Sequence, residues 1–141
     1  GEEAVGRAGR VRVEIVWADG GVWCGEAGFM VARSVGGELG VLPKHAPMVA
    51  ALSIWPLRVD TADGGSHYFA VFGGFMDVQP DEVTIVTPNC EVPASIDVDR
   101  AQRAKERAEK RLKERAEDID IDRARLALAR ALMRLDVAKY K

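Results

Sequence analysis

Six side chains in the last third of the chain pose the chemical question. Asp97, Arg100 and Arg107 stand at i, i+3 and i+10, and Arg123, Arg130 and Arg134 at i, i+7 and i+11. In an α-helix each trio falls near one face. No acid occurs between Asp122 and Asp136, so Arg130 lacks a carboxylate at helical spacing and Arg134 needs a partner distant in sequence. If the two stretches fold back on each other about a turn near residues 117 to 120, Arg107 opposes Arg130 and Arg100 lies near Arg134. Four guanidinium groups then converge. Two like charges about 8 Å apart at an effective dielectric of about 20 repel by roughly 2 kcal/mol, so such a cluster calls for an anion. Guanidinium forks match phosphate oxygens two at a time, which makes a polyphosphate the expected ligand. For Arg103, Lys105, Lys110, Arg111 and Lys113 the simpler expectation is solvation and pairing with neighbouring acids such as Glu106 and Glu114.

The elements that must position these arginines are legible in composition. Residues 97 to 141 contain no Gly and no Pro and are dominated by Ala, Arg, Lys, Glu and Leu, residues that favour helix at almost every position. The phrase Ile-Asp-x-Asp-Arg-Ala occurs at 96 to 101 and again at 119 to 124. Asp is a poor interior helix residue and a good N-cap. The repeat therefore predicts two helix starts, with helices over about 97–116 and 120–139 and an acidic turn at Glu117-Asp118-Ile119-Asp120. Two such helices joined by a short turn make an antiparallel hairpin. Its first helix offers mainly Ala101, Ala104, Ala108, Leu112 and Ala116 for packing, which bury little apolar area. The second offers Leu128, Leu132, Leu135 and Val137. A hairpin held this way opens at modest expense, so the pattern predicts a switch.

Upstream the pattern is that of short strands. "VRVEIVW" alternates, "FMVARS" and "MVAALS" are short apolar runs, and "HYFAVFGGFMDV" is rich in aromatic and β-branched residues. Asp19-Gly20-Gly21, Gly36-Gly37, Asp63-Gly64-Gly65 and Pro80-Asp81 punctuate them as turns. Gly73-Gly74 inside the best strand predicts a bulge or sharp bend. The fold class expected is β followed by α: an N-terminal antiparallel β-sandwich or flattened barrel over 10–92, a linker over 93–96 and a C-terminal two-helix antiparallel hairpin over 97–141, with 1–9 as a tail. Trp17, Trp23 and Trp55 read as packing or interface residues, and His67 as a strand-end surface residue.

Charge divides along the same line. Residues 1 to 96 hold 6 Lys/Arg against 12 Asp/Glu, a balance of −6, and residues 97 to 141 hold 14 against 10, a balance of +4. The contrast predicts two modules with different work. Nothing favours an enzyme: no Ser/His/acid or Cys/His arrangement is spaced as a site, Cys24 and Cys90 have no metal-ligand spacing, and no Walker-type glycine loop is present. The acidic first module and the lack of aromatic repeats on basic strands argue against a nucleic-acid partner. The remaining alternatives are a stand-alone ATP-sensing module and a helix-pair scaffold that binds no nucleotide.

Three stretches carry a family resemblance. "GGELGVLPKHAPMVAAL" at 36–52, "FAVFGGFMDVQPDEVTIV" at 69–86 and the two-helix tail resemble the epsilon subunit of bacterial F-type ATP synthase, over essentially all of Arg10 to Lys141. In the Bacillus-type branch, Ile/Leu-Asp-x-x-Arg-Ala opens the first tail helix as an ATP-binding motif, and here it is Ile96-Asp97-Val98-Asp99-Arg100-Ala101. The resemblance implies adenine and ribose near Glu91, Ile96, Asp97 and Ala101, and phosphates among Arg100, Arg107, Arg130 and Arg134. ATP is then a regulatory ligand without a required Mg²⁺, and no metal site or catalytic residue is expected. The second hexad does not match the nucleotide motif, and Arg123 is a weaker candidate.

The family role implied is rotary and non-catalytic. The sandwich would bind the gamma subunit of the central stalk and the c-ring, with Glu38 and His45 near the rotor contact. The tail would fold down when ATP is bound. When ATP is scarce it would extend toward the alpha/beta head and inhibit hydrolysis, with Arg103, Lys105 and Arg111 meeting acidic surface there. The expected location is peripheral, on the cytoplasmic side of the bacterial plasma membrane. The chain departs from the family at Lys44, where Gly is frequent, and at Trp17-Ala18, where Thr-Pro is frequent. "TPNCEVPAS" is also less acidic than the usual linker.

Overall fold

The computed structural model describes residues 9–114 and 118–141, with the side chains of Asp118 and Ile119 excluded. The tail expected over 1–9 therefore lies outside the described residues, apart from Gly9. So do Ala116 and the first part of the expected acidic turn.

Seven strands form the first unit: β1 Val11–Trp17, β2 Val22–Ser34, β3 Gly37–Val41, β4 Met48–Thr61, β5 Ser66–Val78, β6 Glu82–Thr87 and β7 Cys90–Glu91. Their order is β1-β6-β5-β4-β2-β3, and β1 also pairs with β2, so the sheet closes on itself as a flattened barrel. Closure leaves the short strands β3 and β7 paired on one side only, and short edges are less apt to invite association. One pairing departs from the antiparallel rule, because β1 runs parallel to β6, Val13 beside Val83 and Ile15 beside Ile85. Two strands far apart in sequence can meet in either direction, and alternation within each strand does not record which. The interior follows the two-residue period of β1: Val11, Val13 and Ile15 are buried while Arg12 points outward. Met30, Val59, Met76, Val78, Val83 and Ile85 are 0 % exposed with them. Burying each such side chain contributes about 1.5–3 kcal/mol. Trp17 and Trp23 pack partly buried against this core. Trp55 sits outside it with the Arg33 guanidinium 4.5 Å above its ring.

Strand β5 shows why one stretch is apolar at consecutive positions. Phe69 and Val71 point into the barrel, while Ala70 and Phe72 point out, beneath a helix. Both faces are covered, so both must be apolar. The strand bends at Gly73 and Gly74, whose φ values are +85° and +101°. There β5 passes from its β7 partner at Val71 to its β6 partner at Phe75. A Cβ on Gly74 would lie 2.0 Å from the Val86 carbonyl oxygen, so only glycine fits.

Lys44 is the one non-glycine with positive φ among the described residues, at +62°, in the position where the resembling family frequently has Gly. The left-handed region costs an L-residue roughly 1–2 kcal/mol, and glycine returns about 0.5–1 kcal/mol of that through its unfolded-state freedom. Lys44→Gly is expected to stabilise the barrel by about 0.5 kcal/mol, raising its melting temperature by roughly 2–4 °C. Thermal unfolding with an unchanged or lower midpoint would count against this strain.

A single 3₁₀ turn, Pro93–Ser95, links the barrel to helix α1, Val98–Glu114, and helix α2 runs from Asp118 to Ala138. The Arg100 backbone N–H donates to Asp97 Oδ1 at 3.0 Å, a side-chain N-cap that typically stabilises a helix by about 1 kcal/mol. The second hexad is phased differently. Its corresponding Asp120 is the third residue of α2, inside the helix, so the repeat does not place two equivalent caps.

The helices meet through small residues, with Ala101 and Ala108 on α1 and Ala124 and Ala131 on α2 all buried. α2 also presents Met133 and Val137 to Ala70 and Ile96, against Ile54, Tyr68 and Phe72. Here Leu132 differs from expectation: it is 46 % exposed, whereas Met133 is 3 % exposed. Helical phase decides this, because Ala131 faces α1 and Met133 faces the barrel, which leaves position 132 pointing outward.

Candidate functional site

The N-terminal half of α1, the middle of α2 and the linker enclose a cleft of about 540 Å³, within the size range of small-molecule sites. It is lined by Glu91, Ile96, Asp97, Arg100, Ala101, Arg107, Arg130 and Arg134, and further by Ser95, Arg103, Ala104 and Ala127. All eight residues that the resemblance assigned to ATP therefore line one cavity, whereas Arg123, the weaker candidate, is exposed and does not line it.

Their individual settings differ. Arg134 holds Glu91 with both fork nitrogens, Nε at 2.8 Å from Oε1 and a terminal nitrogen at 3.0 Å from Oε2. Its guanidinium carbon lies 4.7 Å from the centre of the Phe72 ring. The distant partner Arg134 needed is thus a β7 carboxylate. This corrects the premise that all four cations depend on an external anion, because the protein neutralises one of them. Arg100, Arg103, Arg107 and Arg130 form no ion pair among the described residues. Positive charge is accordingly uncompensated on the α1 side and in the middle of α2.

Ile96 is 4 % exposed and joins the small core beneath α2, so it bounds the cleft mostly by its backbone. Ala101, 3 % exposed, supplies a flat floor where any larger residue would fill the space. Asp97 spends one carboxylate oxygen on the helix cap. Among the described residues no three His, Cys, Asp or Glu gather as a metal ion would require.

Arg103, expected to be solvated, is exposed on α1 and also lines the cleft. Its spacing held the signal: it lies three residues after Arg100 and four before Arg107, on their face of α1. Glu38 and His45 stand elsewhere. Glu38 is exposed on β3 opposite Arg33, and the His45 ring nitrogen Nδ1 lies 3.0 Å from the Ala46 carbonyl in the loop that follows. His67 is exposed, 13° from parallel to the Phe69 ring and 5.4 Å from Trp23. Cys90, buried on β7 in the barrel core, has its thiol pushed up to about 12, first by burial and then by Glu91 beside it.

Comparison with known proteins matches both units. Residues 10–93 fit the family model for the β-sandwich domain of the ATP synthase Delta/Epsilon chain, and residues 95–139 that for its long α-helix domain. The ATP synthase epsilon chain of an Exiguobacterium species is 45% identical, covering 93% of this chain and 97% of its own. That of Alkalihalophilus pseudofirmus is 49% identical, covering 90% and 96%. A chain of the Euglena gracilis mitochondrial ATP synthase, solved with OSCP, F1 and c-ring, shares the fold at a TM-score of 0.82 and 22% identity, over 93% of this chain and 82% of that one. No helix among the described residues is long and apolar enough to cross a membrane. The chain belongs to the Delta/Epsilon family of ATP synthase and, like the epsilon chains it matches, is a non-catalytic subunit of that complex.

Proposed function

We propose that this chain is an ATP-responsive regulator within the ATP synthase rotor, and that the arginine cleft is its nucleotide site. The observation carrying this reading is the meeting of Arg100, Arg107, Arg130 and Arg134, from two helices, around one cavity of about 540 Å³. Phosphate oxygens of ATP are held by Arg100, Arg107 and Arg130, with Arg134 presented by Glu91. The base and ribose lie toward Asp97, Ala101 and the Ile96 backbone. Both carboxylates of the cleft are already engaged, Glu91 by Arg134 and Asp97 by the helix cap. Mg²⁺ is therefore not required for binding.

The consequence is conformational. Bound ATP bridges α1 and α2 and favours the docked hairpin, because a ligand shifts an equilibrium by its differential affinity for the two states. Without ATP the crowded guanidinium groups favour opening, and the extended helices, with Lys105 and Arg111 exposed, reach the alpha/beta head and inhibit hydrolysis. The barrel couples the gamma subunit to the c-ring. Exposed Val49, Phe75 and Val86 on one stretch of paired strands offer an apolar face for the stalk. Exposed Val35 and Leu42 accompany Glu38 and His45 at the rotor contact. In this reading the subunit is peripheral, on the cytoplasmic side of the bacterial plasma membrane.

Calorimetric titration of the whole chain with ATP, in buffer containing a chelator, tests the nucleotide site. Saturable binding at one site per chain, no weaker than with Mg²⁺ present, is expected. Absence of measurable binding under both conditions leaves only a helix-pair scaffold.

A further inference from the structure

We propose that Tyr140 and Lys141 form a clasp that positions the linker wall of the nucleotide cleft and so sets its affinity. The proposal rests on the nucleotide reading above and deepens it, by naming residues outside the cleft that regulate it.

Three contacts support the clasp. The Tyr140 ring lies against Tyr68 of β5, centroids 3.5 Å apart and planes 4° from parallel. Lys141 Nζ donates to the Ile96 carbonyl oxygen at 2.9 Å, across 45 residues of chain. The backbone N–H groups of Tyr140 and Lys141 donate to the Val137 and Ala138 carbonyls, which turns both residues off the end of α2 toward the barrel. Together with Val92, Pro93 and Ala94 they border an aromatic-walled groove of about 270 Å³.

Place in the fold gives these contacts consequence. Ile96 is the hinge residue between the 3₁₀ turn, which its own N–H closes by donating to the Pro93 carbonyl, and Asp97, which caps α1. Any extension of the hairpin must rotate about this stretch. Arg134 holds β7, just ahead of this stretch, through Glu91, and Lys141, seven residues further along, holds the stretch itself through Ile96. Two cations thus tie α2 to both ends of the segment that supplies Glu91, Ser95, Ile96 and Asp97 to the cleft. With the clasp made, that wall is held where a nucleotide meets it. With the clasp broken, ATP must order the wall itself and binds less tightly.

The test is a calorimetric titration of ATP into the full chain and into Tyr140→Ala, Tyr140→Phe, Lys141→Ala and Lys141→Arg. The two alanine variants are expected to weaken ATP binding by about tenfold, the scale of one aromatic stack or one charge-assisted hydrogen bond. Tyr140→Phe keeps the ring and Lys141→Arg keeps a cationic donor, so both are expected within about twofold of the parent, a rescue that general loss of packing does not predict. Alanine variants that bind ATP like the parent would overturn the clasp, as would Tyr140→Phe weakened as much as Tyr140→Ala. Should the parent itself bind no ATP, the nucleotide reading falls and the clasp is decided by hydrogen exchange at Met133–Val137. Faster exchange in the alanine variants supports it, and unchanged protection overturns it.

Discussion

Arg107→Ala is expected to lower ATP affinity by about 10- to 100-fold and to leave the melting of the barrel unchanged. The size follows from removing one charge-assisted contact, about 1.5–3 kcal/mol, converted at 1.4 kcal/mol per decade. Barrel stability is spared because Arg107 is exposed on α1 and forms no ion pair with a strand among the described residues. Arg107→Lys should recover only part of the loss, since an ammonium cannot make the bidentate contact. Arg134→Ala acts by another route. It removes a cleft cation together with its pair to Glu91 and its stack on Phe72, so its affinity loss should come with faster amide exchange in α2. If Arg107→Ala and Arg134→Ala both bound ATP like the parent, the phosphate assignment would be wrong.

Met133→Ala is expected to loosen α2 from the barrel, with a loss of about 2–5 kcal/mol in docking free energy, the range for truncating a large buried apolar side chain. Met133 is 3 % exposed in a core of only four fully buried residues, two of them on the barrel and linker. The α1–α2 seam is built from alanines, so the apolar cohesion of the docked hairpin rests largely on this core, beside the Glu91–Arg134, Tyr68–Tyr140 and Ile96–Lys141 contacts. Leu132→Ala, one residue away and pointing outward, should change stability by no more than about 0.5 kcal/mol. Hydrogen exchange across α2 separates them: protection falls sharply in the first variant and stays in the second. Equal effects would mean that the helix sits in a different phase from the one described.

The contrast between 132 and 133 also marks where sequence reasoning stops. Helix existence, capping at Asp97 and the shared face of Arg100 and Arg107 follow from spacing within one element, so they were legible. The apolar run in β5 was legible as a strand, but its second buried face was not, since that depends on α2 arriving over Ala70 and Phe72. The Glu91–Arg134 pair joins residues 43 apart, and nothing local in "CEVPAS" marks Glu91 as its partner. Arg103 was missed for an opposite reason. A face shared with Arg100 and Arg107 was visible, but composition made solvation the simpler expectation. The parallel β1–β6 pairing was likewise hidden, because strand alternation is the same whichever way the neighbour runs.

These corrections change the energetics of the proposed switch. With one of its four motif cations neutralised by Glu91 and its hinge tied by Lys141, the docked hairpin has cohesion of its own, and ATP adds to it at the α1 side. On that proposal the switch is a balance between a small methionine-centred core with two ties, at Glu91 and Ile96, and the repulsion of Arg100, Arg103, Arg107 and Arg130, tipped by a polyanion.

A crystal structure of the full chain grown with ATP tests this most directly. Triphosphate oxygens within hydrogen-bond distance of Arg100, Arg107 and Arg130, with Glu91 still gripping Arg134, are the predicted result. A nucleotide seated anywhere else on a docked hairpin, or ATP bound while the two helices stand apart, would contradict it.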